Sequence, residues 1–273
     1  MKSDLTRLPI AEWSAGIDYE AGFWNQWVKT CGGRWPEDFS ARREPGRPLD
    51  PGLESLLPSG EISRVLDVGA GPMTVLGTRS AERCIDLVAA DPLALLYDHI
   101  LTAHGIIPPI PTIFATAEDL SAFFGPSCFD LVHCRNALDH SFDPVRGIEE
   151  MLRVVKQGGH VVLRHLLNEA EFEARGDHYS GFHQFNFNER EGRFYIWNKV
   201  SGGFPDEQIA CGATFATRAD PATRSIEVVI RKTGEFADVR EDCRFRQRVR
   251  ALTEGLIGHF VAESVGRLKR HAI

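Results

Sequence analysis

Paired cysteines are the first thing this sequence lacks. Cys31, Cys84, Cys128, Cys134, Cys211 and Cys243 are scattered without a single C-x-x-C spacing. That argues against a cysteine-built zinc site, so no metal is expected, and it fits reduced thiols in a reducing compartment better than a disulfide framework. Long apolar runs are missing too: no stretch approaches the ~18 apolar residues a membrane span needs. The opening residues Met1 to Arg7 have no apolar leader core, so a cytoplasmic location without a membrane partner is expected. Basic charge is in deficit, with 31 Lys and Arg against 38 Asp and Glu, a formal charge of −7. This speaks against general attraction to nucleic acid, whose affinity comes mainly from cations neutralising phosphate, and favours a small-molecule or protein partner. Repeats and low-complexity segments are absent as well.

What remains is an ordinary globular composition, 43% hydrophobic and 25% charged over 273 residues. The length exceeds the ~100–200 residues of a typical domain, yet one α/β core with additions accommodates it better than two equal domains. The chain is organised around Arg64-Val-Leu-Asp67-Val-Gly69-Ala70-Gly71-Pro72-Met-Thr74. Val65, Leu66 and Val68 read as a buried strand that runs into a glycine turn opening a helix. Gly69 and Gly71 allow a tight turn and let a ligand lie against bare backbone. A dinucleotide site usually completes G-x-G-x-x-G, but here the third place holds Thr74. Asp67, at the end of a buried strand, needs a cation or a hydrogen-bond donor, and the ammonium of an amino-acid moiety would serve.

These residues resemble the first motif of class I S-adenosylmethionine-dependent methyltransferases, and the resemblance continues in order over roughly residues 60–166. Leu87 to Pro92 is an apolar strand ending in Asp91, twenty residues after Gly71, where such folds place a carboxylate for ribose hydroxyls. Ala115 to Leu120 is similar to the third motif, whose loop borders the adenine. Phe129 to Asn136 resembles the fourth strand and its turn, and Leu152 to Leu163 the helix, glycine turn and fifth strand. The resemblance implies a Rossmann-like, doubly wound, mostly parallel α/β sheet and S-adenosylmethionine as cofactor. It assigns the cofactor to Asp67, Gly69, Ala70, Gly71, Pro72, Asp91, Pro92, Thr116, Ala117, Glu118, Cys134 and Arg135. Many members have Asp where this chain has Thr116, so the adenine amine falls to Glu118 or to backbone.

Four of the five tryptophans precede residue 36, and residues 1–59 read as an N-terminal helical cap, either packed on the core or closing over cofactor or substrate. The core domain is expected over 60–233. Leu93 to His104 reads as a helix and Thr112 to Ala115 as a short strand. Asp143-Pro144 offers an N-cap and a first-turn proline for a helix whose stripe Val145, Ile148, Met151, Leu152 and Val155 runs up to Gly158. Residues 167–200 read as a substrate-pocket insertion, because His183, Gln184, Asn186 and Asn188 interleave with Phe185 and Phe187. In an extended chain His183, Phe185 and Phe187 share one face and Gln184 and Asn186 the other. Arg193 to Asn198 and Thr223 to Lys232 read as strands, and 234–273 as a charged helical extension that is either a solvated face or a dimer contact, leaving monomer or homodimer open.

Ligands in such a sheet sit at the carboxyl ends of the strands. There, Asn136 and Asp139 are left for the acceptor, joined by Gln184 and Asn186 of the pocket segment, and His165, His183 and His140 are candidate bases, since imidazole titrates near neutrality. The expected activity is methyl transfer to an oxygen or nitrogen nucleophile of a small polar molecule. A non-catalytic S-adenosylmethionine sensor and an NAD-dependent oxidoreductase remain as alternatives.

Overall fold

The structure, a computed structural model, describes residues 10–173, 183–209 and 212–235, with positions 251, 254, 255 and 258. The chain divides into two compact units, Met1–Ala237 and Asp238–Ile273. Nearly all of the second, and with it most of the C-terminal extension expected over 234–273, lies outside the described residues, as does the segment 174–182.

The N-terminal region supplies helices α1 (Ile10–Lys29), α2 (Pro36–Arg42) and α3 (Pro51–Glu54). The core follows with β1 (Ile62–Val68), β2 (Cys84–Asp91), α4 (Ala94–Ala103), β3 (Thr112–Phe114) and a single 3-10 turn Ala117–Asp119 that leads into α5 (Ser121–Phe124). Then come β4 (Phe129–Arg135), a second 3-10 turn Leu138–His140, α6 (Pro144–Val154) and β5 (Val155–Leu166). The remainder is α7 (Glu169–Glu173), β6 (Asn186–Arg190), β7 (Arg193–Trp197), β8 (Gly202–Gly203), α8 (Pro205–Gln208), β9 (Ala213–Asp220) and β10 (Ser225–Lys232).

Among the described residues the large sheet has seven strands in the order β3-β2-β1-β4-β5-β10-β9. β3, β2, β1, β4 and β5 pair in parallel, and β10 is antiparallel to both β5 and β9. The sheet is the doubly wound, mostly parallel α/β fold that the sequence implies. Its central strands are covered on both faces, which is why Val65, Leu66, Val68, Leu131, Val132, Val161, Val162 and Leu163 are all buried and their segments read as continuous apolar runs. Strand order reverses between β1 and β4, so the chain leaves these neighbours in opposite directions and opens a crevice at their carboxyl ends. Gly69 and Asn136 stand at that crevice.

α6 starts where Asp143 accepts a hydrogen bond from the Arg146 amide (3.1 Å) with Pro144 in its first turn. The helix does not reach Gly158. It stops at Val154, and Val155 already pairs with Phe129 as β5. Pairing then jumps from Phe129↔Val155 to Leu131↔His160, so Lys156 to Gly159 form an irregularity within the strand. A Cβ on Gly159 would lie 2.7 Å from the Asp130 carbonyl, so the glycine admits a close approach of β4. A smaller sheet, β6-β7-β8, carries the segment after residue 183. Phe185 and Phe187 pack inward, but Asn186 on the other face is equally buried, because α7 covers it: the Asn186 Oδ1 accepts from the Glu171 amide (2.9 Å).

The N-terminal region is bonded to the core. Leu49 donates to the Arg79 carbonyl (2.9 Å), Arg79 to the Arg47 carbonyl (2.9 Å), and a Cβ on Gly77 would lie 2.2 Å from the carbonyl oxygens of both Arg47 and Pro48. We therefore expect Gly77→Ala to lower stability by roughly 1–3 kcal/mol, as overpacking against fixed backbone does. Gly60→Ala, whose nearest neighbour would be 4.0 Å away, should leave the urea midpoint almost unchanged. Equal midpoints for the two variants would refute this packing of 47–49 against the turn at 77.

Candidate functional site

Gly69 and Gly71 both adopt positive φ, 70° and 67°. The turn is fixed by Gly69 and Ala70 amides donating to the Ala90 carbonyl at 2.8 and 3.1 Å. Side chains are excluded from both glycines: a Cβ on Gly69 would lie 2.2 Å from that of Ala137, and one on Gly71 2.8 Å from the Trp24 ring. Trp24 of α1 thus walls the glycine turn, its indole N–H donating to Glu20 (2.6 Å) and its ring meeting Tyr97 at 6.1 Å. Arg42 of α2 stacks over Trp24 and Trp27 and donates through Nη1 to the Met73 carbonyl (2.8 Å). Glu20 and Arg42 were not singled out from sequence. The Glu20/Trp24 spacing of four, which puts both on one helix face, was the available signal.

The partner of Asp67 differs from the expected ligand ammonium. Its Oδ2 accepts from the Thr74 hydroxyl (2.6 Å) and its Oδ1 meets Nδ1 of the buried His133 (2.8 Å). Thr74, standing where a dinucleotide turn has its third glycine, therefore serves to hold the acid. Asp91 ends β2 with Oδ2 accepting from the Gly71 amide (3.0 Å) and Oδ1 from the Leu93 amide (2.8 Å). Burial pushes its carboxyl up to about 7 in spite of those amides. Glu118 is raised to about 7 by the same cause, and its Oε1 accepts from the amides of Phe142 and Asp143 at 3.0 and 3.3 Å. That oxygen joins the 117–119 turn to the start of α6. Thr116 is buried beside it, Ala117 and Pro92 are partly buried, Cys134 is buried within β4 and Arg135 is exposed. Asn136 follows in a left-handed conformation (φ 45°), its amide donating to the Arg164 carbonyl (3.0 Å).

The three candidate histidines converge on one carboxylate. Asp139, 2% exposed in the turn after β4, has Oδ2 at 2.5 Å from Nδ1 of His183 and 3.6 Å from Nε2 of His140. Its Oδ1 is 3.7 Å from Nδ1 of His165 on β5. The amides of Gln184 and Phe185 donate to the Asp139 carbonyl at 2.8 and 3.2 Å, pinning the segment that carries His183 to this turn. The His140 and His183 rings lie 4.5 Å apart, His165 sits edge-on to Phe187 at 4.5 Å, and Nε2 of His183 is 3.8 Å from Glu169. Burial alone would raise Asp139, but the three imidazoles outweigh it and hold the carboxyl well below its usual range. Burial lowers His165 and keeps it neutral near pH 7. Of the residues assigned to the acceptor, Asp139 is in this cluster and Gln184 reaches it through its backbone, whereas the Asn186 Oδ1 is engaged with α7. Glu169 is a member that sequence reading missed.

Residues 66–163, which contain the glycine turn, Asp91 and the Asp139 turn, match the family profile described as a methyltransferase domain. This segment is a class I S-adenosylmethionine-dependent methyltransferase domain. An uncharacterized methyltransferase of Mycobacterium tuberculosis is 37% identical to the chain over 122 residues, 44% of this chain and 47% of that relative. The ubiquinone biosynthesis O-methyltransferase of Aliivibrio fischeri is 33% identical over 102 residues, 36% of this chain and 42% of that relative. The chain thus spans less than half the length of these curated relatives. Among solved structures, an O-methyltransferase family protein from Burkholderia thailandensis superimposes with a TM-score of 0.46 at 12% identity, covering 82% of this chain and 62% of that one.

The two raised carboxyls of the methyltransferase domain give a pH signature. Folded Asp91 and Glu118 keep protons up to about pH 7 that an unfolded chain releases near ~4. The native state then binds more protons than the unfolded state, so their contribution is complete below ~4 and is lost as pH rises through 7. Comparing urea stability from pH 4.5 to 7.5, we expect Asp91→Asn with Glu118→Gln to remove a downward component of the slope. An identical slope in the double variant would contradict the burial of these groups as acids.

Proposed function

We propose that the chain transfers the methyl group of S-adenosylmethionine to a hydroxyl or other oxygen or nitrogen nucleophile of a small polar molecule. The observation that carries this reading is the meeting of His140, His165 and His183 on Asp139 in the turn after β4, at the sheet's switch point beside the glycine turn. The positive-φ turn at Gly69 and Gly71, walled by Ala137 and Trp24, and the buried carboxyl of Asp91 bonded to the Gly71 amide lie where the resemblance seats a ligand with an adenosyl and an amino-acid part. When bound, S-adenosylmethionine supplies a methyl already activated on a sulfonium.

The work left to the chain is to position the acceptor and take its proton. Gly69, Ala70, Gly71 and Pro72 form the cradle, Asp91 with Pro92 meets the ribose, and Thr116 with Ala117 borders the adenine. Asp139 accepts from Nδ1–H of His183, which fixes the tautomer that leaves Nε2 with a lone pair for the acceptor's proton. The cluster's polar atoms, backed by the Phe187 ring, fit a compact polar acceptor. The Aliivibrio fischeri relative is an O-methyltransferase, which favours oxygen over nitrogen. The −7 charge favours such a molecule over nucleic acid. The free thiols of Cys31, Cys84, Cys128 and Cys134 accord with a reducing, cytoplasmic setting, and no described helix is long and apolar enough to cross a membrane.

Calorimetric titration of the purified chain with S-adenosylmethionine and with NAD tests the reading. We expect saturable binding of the first and none of the second, and the reverse would overturn it. With a methyl acceptor in hand, His183→Ala should lower turnover by ~10²-fold or more. Its S-adenosylmethionine affinity should stay within about twofold. Loss of cofactor affinity in step with turnover would place His183 on the cofactor instead.

A further inference from the structure

We propose that Asp139, His140 and His183 form a binding site for one divalent transition-metal ion, with Glu169 as an adjoining carboxylate. The proposal deepens the acceptor reading above and rests on it for its role, though not for its geometry. Ligand atoms of the first three residues all lie within 4.8 Å of one another. Metal–ligand bonds of ~2.0–2.2 Å set neighbouring donors roughly 3–4 Å apart. Nε2 of His140 is 3.6 Å from Oδ2 of Asp139, and Nε2 of His183 is 3.8 Å from Oε1 of Glu169. Nδ1 of His183 is at hydrogen-bond distance from Asp139, 2.5 Å, so that contact opens when an ion enters.

A second observation points to a ligand. Oδ1 of Asp139 and both ring nitrogens of His165 are buried, and among the described residues none of the three makes a hydrogen bond. His165 is 3% exposed, with Nδ1 3.7 Å from that same Oδ1. Buried polar atoms are rarely left so. An ion held by Asp139, with an oxygen ligand beside it, gives the carboxylate a cation and the imidazole a hydrogen-bond partner. The frame is rigid, since the Gln184 and Phe185 amides tie the His183 segment to the Asp139 carbonyl.

Two imidazoles and one or two carboxylates select the class of ion. Mg²⁺ and Ca²⁺ prefer oxygen-only shells, whereas mixed nitrogen and oxygen sets suit Zn²⁺, Mn²⁺, Fe²⁺ and Co²⁺. Three or four protein ligands leave a coordination position open, where the acceptor's hydroxyl oxygen binds and becomes more acidic ahead of methyl transfer. In this form the ion acidifies the hydroxyl, its proton leaves to solvent water, and His183 serves as a ligand rather than as the base. The expectation of no metal rested on cysteine spacing, which says nothing about this set.

The test uses the full chain, stripped with a chelator and dialysed, then titrated with Co²⁺ by visible absorption and with Zn²⁺ by calorimetry. We expect one ion per chain, visible d–d bands without a thiolate charge-transfer band, and at least tenfold weaker binding in His140→Ala and in His183→Gln. Circular dichroism of the metal-free variants, unchanged from the parent, shows that the fold is retained. If a variant unfolds, Asp139→Asn is read by the same titration. Absence of binding at 1 mM ion, or unchanged affinity in folded His140→Ala and His183→Gln, overturns the proposal. S-adenosylmethionine titration of the stripped chain separates the two readings: cofactor binding without ion binding removes only the metal site, and ion binding without cofactor binding removes only the methyltransferase reading.

Discussion

A carboxylate with 2% exposure is tolerated only where donors surround it, and Asp139 sets that requirement at the centre of this molecule. Its side chain meets His140 from its own turn, His165 from β5 and His183 from the segment before β6, while its carbonyl takes two amides from that segment. One residue thereby joins the end of β4, the end of β5 and the start of the smaller sheet. These are the elements that bound the crevice at the strand-order reversal.

The second constraint is the glycine turn. Asp67 is hydrogen-bonded within the chain by Thr74 and His133, so the turn is held by the chain's own groups. Asp91 is tied to the same turn through the Gly71 amide, so the end of β2 and the cradle are one unit. The N-terminal helices complete it from above: Trp24 covers Gly71 and Arg42 reaches the Met73 carbonyl. Two tight centres result, acids held by amides on one side and an acid held by imidazoles on the other, and the proposed function gives the first to the cofactor and the second to the acceptor.

Much of this was legible because parallel strands buried on both faces must be continuously apolar. β1, β2, β4 and β5 announce themselves, and Asp143-Pro144 marks the start of α6 through capping chemistry alone. The end of α6 was not legible. Val154 and Val155 continue the apolar stripe, and only the tertiary pairing of Val155 with Phe129 turns the chain into strand there. β9, Ala-Thr-Phe-Ala-Thr-Arg-Ala-Asp, carries too little apolar pattern to announce a strand and is held as an edge by β10. At the site, each histidine could be placed near a strand end, but residues 140, 165 and 183 are distant in sequence and nothing local shows that they share one carboxylate. Alternation put Asn186 on a face open to the acceptor, and α7 covers that face.

The proposed function requires a cofactor seated at the glycine turn with its reactive side toward Asp139. A crystal structure of the chain with S-adenosylhomocysteine measures this most directly. We expect the amino-acid part against the turn at Gly69 and Gly71, the ribose hydroxyls on Asp91, and the thioether sulfur facing the Asp139, His140, His165 and His183 cluster across a gap one acceptor wide. A ligand bound elsewhere, or seated at the turn with its sulfur directed away from that cluster, would contradict it.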